Sequence, residues 1–222
     1  MAAPPASALG PRAGPQLTVS ERLLETTWGV LILLSVTGSA QLGAGATSGQ
    51  ILVIGFATAT AWGLVEGVLQ VVQGRVERRY SARIITRAAE SAERAEPDLT
   101  NALQNSLVQH LAPDDQARIR AAIVEAAGRA TALDTRIRRR DFRGGAETFL
   151  ALWGATIPSL LPFVFFPEAR VALAYSQAIG VGTLFAVGAA WGRYTDQHPL
   201  RAGGLMAGLG LGLAALLQAL GA

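Results

Sequence analysis

The chain contains no cysteine, which excludes disulfides, thiolate metal sites and cysteine nucleophiles. It contains no lysine either: all 19 basic residues are arginine, and the net charge is only +3. Charged residues make up 16% of the chain, against about 25% in ordinary globular domains. The two histidines, His110 and His198, are isolated and do not form a metal pair. No H-E-x-x-H, G-x-S-x-G or P-loop occurs, nor a G-x-G-x-x-G preceded by a strand, so the chain does not read as an enzyme. The arginines have no interleaved aromatic platform, which argues against nucleic acid as a partner.

What is present is apolar. Half of the 222 residues are hydrophobic, the mean hydropathy is +0.33, and most charges lie between residues 74 and 146. Residues 1–20 form an Ala-, Pro- and Gly-rich tail expected to be disordered. No apolar signal-peptide core precedes residue 23, so the uncleaved first span is the expected targeting signal. Five apolar stretches follow, at about 23–43, 51–73, 147–166, 171–192 and 203–221. Each approaches the ~20 residues that ~30 Å of hydrocarbon requires. The expected fold is an all-α membrane protein: five transmembrane helices with a cytoplasmic three-helix insert between helices 2 and 3. The domains are then the tail 1–20, transmembrane helices 1–2 at 21–75, the insert at 76–141 and transmembrane helices 3–5 at 142–222.

Arginine sets the orientation. The insert region 74–146 holds 14 of the 19, the link after span four adds Arg193 and Arg201, and the N-terminal region adds Arg12 and Arg22. Five spans place these regions on one side, leaving Arg170 alone on the other. The N-terminus and insert are therefore expected in the cytoplasm, and the chain in a bacterial inner membrane. Arg136, Arg138, Arg139, Arg140 and Arg143 read as a headgroup anchor before span three.

Within the insert, Val76, Tyr80, Ile84, Ala88, Ala92 and Ala95 recur at helical spacing. Pro97 is expected to break this helix and to open a second at its first position, with Leu99, Leu103, Leu107 and Leu111 on one face. Pro113 opens a third, with Ile119, Ile123, Ala126, Ala130, Leu133 and Ile137 inward. In span three, Pro158 and Pro162 each remove a backbone donor and are expected to bend the helix. Gly204, Gly208 and Gly212 form a small-residue row in span five, and Ala178, Gly182, Ala186 and Ala190 another in span four. All four tryptophans precede glycine: Trp28 and Trp62 in the first two spans, Trp153 in the third and Trp191 in the fourth. Trp191 suits an interfacial belt, and Trp62, at mid-span, is expected to fill space between helices.

The chemistry concentrates on span two. Thr58, Trp62, Glu66, Gln70, Gln73 and Glu77 fall on one helical stripe, so a membrane helix carries a carboxylate and amides on one face. A charge at the lipid centre costs about 2.5–3.5 kcal/mol on insertion scales, so Glu66 should face protein or water. It is the candidate ion ligand or proton carrier, with Gln70 and Gln73 further along the path; the bland alternative is a protonated glutamate hydrogen-bonding across helices. Glu90 and Glu93, three apart, can offer two carboxylates to one hard cation, and Glu77 is a further candidate ligand. Their alternative is a solvated face paired with Arg87 and Arg94.

The layout of two spans, a three-helix insert continuous with span two and three further spans resembles the vacuolar iron transporter (VIT) family. Gly144-Gly145-Ala146 through Ile157-Pro158-Ser159-Leu160-Leu161-Pro162-Phe163 resembles its third span. Val72-Gln73-Gly74-Arg75-Val76-Glu77 resembles its passage from span two to stalk, and His110-Leu111-Ala112-Pro113-Asp114 its link between insert helices. The resemblance implies export of Fe²⁺ or Mn²⁺ from the cytosol, no permanently bound cofactor, the lipid bilayer as surroundings and a homodimer. The family carries Asp-Gly motifs in spans one and two. Here Trp28-Gly29 and Trp62-Gly63 stand at those places, and Glu66 stands roughly where the family has methionine. The alternative is a non-transporting relative that keeps the scaffold for binding or assembly.

Overall fold

The structure is a computed structural model, and it describes residues 18–104, 106–130 and 135–221. Most of the expected tail and the expected core residue Leu133 lie outside them. Among the described residues there is no strand. The helices are α1 (Val19–Ala44), α2 (Ser48–Glu90), α3 (Ala92–Gln104), α4 (Pro113–Ala127), α5 (Arg139–Leu160), α6 (Pro162–Phe165), α7 (Ala169–Tyr194) and α8 (Pro199–Gly221), with a 3₁₀ turn at Leu107–His110. Five stretches are long and apolar enough to cross a membrane: α1, α2, α5 with α6, α7, and α8. The chain divides into two compact units, one of residues 1–70 and 139–222, the other of residues 71–138.

In the first unit, α1 packs on α5, α7 and α8, and α7 and α8 form a hairpin. Gly45, in the left-handed region at φ 63°, ends α1. Two residues later Thr47 and Gln50 cap the start of α2 reciprocally: Thr47 N–H donates to Gln50 Oε1 (2.9 Å), and Gln50 N–H to Thr47 Oγ1 (3.3 Å). The core has two apolar clusters. One joins Leu33, Ile51, Leu160, Phe163 and Ala172, the other Val30, Leu34 and Leu184. Helix α2 meets α5 through an aromatic group: Trp153 lies alongside Phe149, meets Phe56 edge to face, and donates Nε1–H to Thr60 Oγ1 at 3.2 Å.

Several expectations are corrected here. Trp62 is 44% exposed, and the tryptophan that bridges α2 and α5 is Trp153. The rows Gly204–Gly208–Gly212 and Ala178–Gly182–Ala186–Ala190 face away from the other helices of the chain. The close approach of α7 and α8 instead uses Gly188, Gly192, Gly203 and Gly210, which lie on the inward faces. Helix α5 runs through Pro158 and is interrupted at Leu161, with Pro162 opening α6. The Leu161 N–H still reaches the Ile157 carbonyl at 3.2 Å.

In the second unit, the closing part of α2 packs with α3 and α4 around Ala88, Ala95 and Ala127, flanked by Ile85 and Val124. The break falls at Ser91 rather than at Pro97, which sits inside α3. Glu93, Glu96 and Pro97 are all exposed, so the carbonyl that proline leaves unpaired can be hydrated. The leucine face expected beyond Pro97 does not persist. Helix α3 stops at Gln104, Leu107 is 86% exposed and Leu111 is exposed too. Helix α4 ends at Ala127, and its inward apolar residues are Ile119, Ile123, Val124 and Ala127; Ala126, Ala130 and Ile137 are exposed. Asp98 of α3 ties back to α2 through Arg87 and, at 3.9 Å, Arg83.

Candidate acidic site of the membrane unit

The start of α1 is built by a capping box. Thr18 Oγ1 accepts from Glu21 N–H (3.2 Å) while Glu21 Oε2 accepts from Thr18 N–H (2.6 Å), which commits the first glutamate to the helix end. Arg22, next in sequence, reaches Glu147 of α5 at 3.7 Å, and Arg143 reaches the same carboxylate at 3.3 Å. One turn beyond Glu21 lies Glu25. It is half-buried, and one of its oxygens is shielded with no hydrogen-bond partner.

Glu66 of α2 lies close enough to Glu25 of α1 for its charge to be felt there. Glycine makes this part of α2 fit. A Cβ on Gly67 would lie 2.8 Å from the Gly145 carbonyl oxygen, so the next residue after Glu66 abuts the backbone of α5 two residues before Glu147. Helices α1, α2 and α5 thus bring acidic side chains to one end of the membrane unit, with Arg22 and Arg143 compensating Glu147. Two carboxylates near each other in a membrane segment can share a cation or a proton.

Glu25 is the residue that reading the sequence missed. Its signal is a glutamate within the apolar stretch LLETTWGV. Gln70, one turn past Glu66, is half-buried. Gln73 is exposed and donates Nε2–H to Glu77 Oε1 at 3.1 Å.

The candidate metal ligands Glu77, Glu90 and Glu93 do not form one group of three. Thirteen residues of helix separate Glu77 from Glu90 by about 20 Å; Glu90 ends α2 and Glu93 lies in the first turn of α3. Glu90 pairs with Arg94 at 3.8 Å. Glu93 lines an open cavity of about 640 Å³ between α3 and α4, with Glu96, Glu125 and Arg120 around a floor that includes Leu99 and Val124. Glu125 is also paired, with Arg129 at 3.0 Å. Among the described residues no group of three or more His, Cys, Asp or Glu could hold a metal ion. The chain matches no family model and no curated protein.

Proposed function

We propose that the protein is a membrane transporter that moves divalent metal ions, iron or manganese, out of the cytosol, in the manner of the family its layout resembles. The observation that carries the reading is Glu25 of α1, half-buried with one oxygen shielded and without a hydrogen-bond partner, within reach of the charge of Glu66 on α2. Acidic side chains in membrane segments are costly, and they mark ion or proton paths. In this reading Glu66 is a ligand or proton carrier, Glu25 is its partner across the helices, and Gln70 and Gln73 extend the path. The insert lies in the cytoplasm, and the working unit is a homodimer in a bacterial inner membrane. Flux of Mn²⁺ or Fe²⁺ into proteoliposomes tests this. Wild-type protein should exceed protein-free liposomes, with E66Q abolishing the flux and E25Q lowering it. Full flux in E66Q would remove Glu66 from the mechanism.

A second reading, a non-transporting scaffold, is favoured by two tryptophans. Trp28 and Trp62 stand where the family has aspartate, and both lie on the surface of the membrane unit, 54% and 44% exposed. Large aromatic side chains so placed serve as anchors for a partner. Well-folded wild-type protein without flux for either metal would favour this reading.

A further inference from the structure

The second unit gathers arginines at one place. Arg75, Arg78 and Arg79 are three and four residues apart and share a face of α2. Arg78 Nη2 donates to the backbone carbonyl of Arg136 at 3.3 Å, which lays the segment Arg136-Ile137-Arg138 against that part of the helix. Segments 75–79 and 136–138 hold five arginines, and Glu77 among them accepts a hydrogen bond from Gln73. The Nε–H of Arg75 is shielded from solvent and has no acceptor.

Apolar side chains accompany the charge. Val72, Val76 and Tyr80 stand on successive turns of α2 and are exposed, Val76 by 58%, and Ile137 is exposed between its two arginines. Val72 ends the apolar run of α2, and Arg75 follows about 5 Å further along the axis, at the depth of lipid headgroups. We propose that Arg75, Arg78, Arg79, Arg136 and Arg138 bind the phosphate of an anionic phospholipid, whose chains lie on Val72 and Val76. Planar guanidiniums suit phosphate oxygens, and basic pockets at the ends of membrane helices hold anionic headgroups. A free phosphate would leave the apolar stripe without use, which selects the lipid.

The test is titration of the full-length protein in neutral detergent with phosphatidylglycerol, phosphatidylcholine of the same chain length, or inorganic phosphate, read by native mass spectrometry. Saturable binding of phosphatidylglycerol is expected, at least tenfold tighter than phosphatidylcholine and poorly displaced by inorganic phosphate. Each arginine removed should weaken it about fivefold, so R75Q/R79Q should bind about 25-fold more weakly. R118Q/R129Q, with the same loss of charge on α4 and in the turn just after it, should bind as wild type. Equal affinity for the two lipids, full displacement by equimolar inorganic phosphate, or equal weakening by R118Q/R129Q overturns the proposal. The wild-type lipid comparison decides it even if R75Q/R79Q fails to fold.

Discussion

Gly188 offers a sharp test of how the membrane unit is packed. It lies on the buried face of α7 against α8. A methyl group there would sit 2.5 Å from the Ala202 carbonyl oxygen and 2.8 and 2.9 Å from Met206 Cγ and Cβ. Carbon contacts are optimal at about 3.5–4.0 Å, so the two helices must separate by roughly an ångström. Overpacking of this kind costs about 1–3 kcal/mol. Alanine recovers about 0.8–1.0 kcal/mol of helix propensity over glycine. The net expectation for G188A is a loss of up to about 2 kcal/mol. Gly208 on α8 is the control: nothing lies within 4 Å of a methyl placed there. Only the propensity gain remains, so G208A should be neutral or stabilised by up to about 1 kcal/mol. Denaturant unfolding in one detergent, followed by tryptophan fluorescence, reads both. A G188A midpoint equal to or above that of G208A would refute the described packing of α7 on α8. A destabilised G208A whose midpoint varies with protein concentration would instead place a second copy on the Gly204–Gly208–Gly212 face.

Two smaller predictions concern the neighbouring elements. W153F keeps a ring against Phe149 and Phe56 but loses the bond to Thr60, so a double-mutant cycle with T60V should give a coupling of about 0.6 kcal/mol; zero coupling means that the bond contributes nothing. T18A removes the capping hydroxyl of α1 and should lower stability by about 1 kcal/mol in the same unfolding assay. An unchanged midpoint would show that the end of α1 is held by other contacts, such as Arg22 with Glu147.

Five membrane-length helices were determined by the sequence alone, because apolar run length is a local property and the bilayer sets the scale. Glu66 was legible for the same reason: a carboxylate within such a run is conspicuous wherever the helix packs. Its partner was not. That Glu25 feels the charge of Glu66 depends on how α1 and α2 pack, and that is decided by tertiary structure, including the abutment of Gly67 on Gly145. Which glycines meet a helix of the same chain was illegible for a related reason. With 25 glycines in the chain, small residues at a spacing of four occur on lipid-facing and inward faces alike. Only the packed structure shows that Gly188 and Gly203 touch a neighbouring helix while Gly208 does not. The helix limits around Pro97 also waited on three dimensions, since a proline whose freed carbonyl can reach water need not end a helix. Composition thus decided which segments are apolar, whereas the direction each face points was left to the contacts among helices.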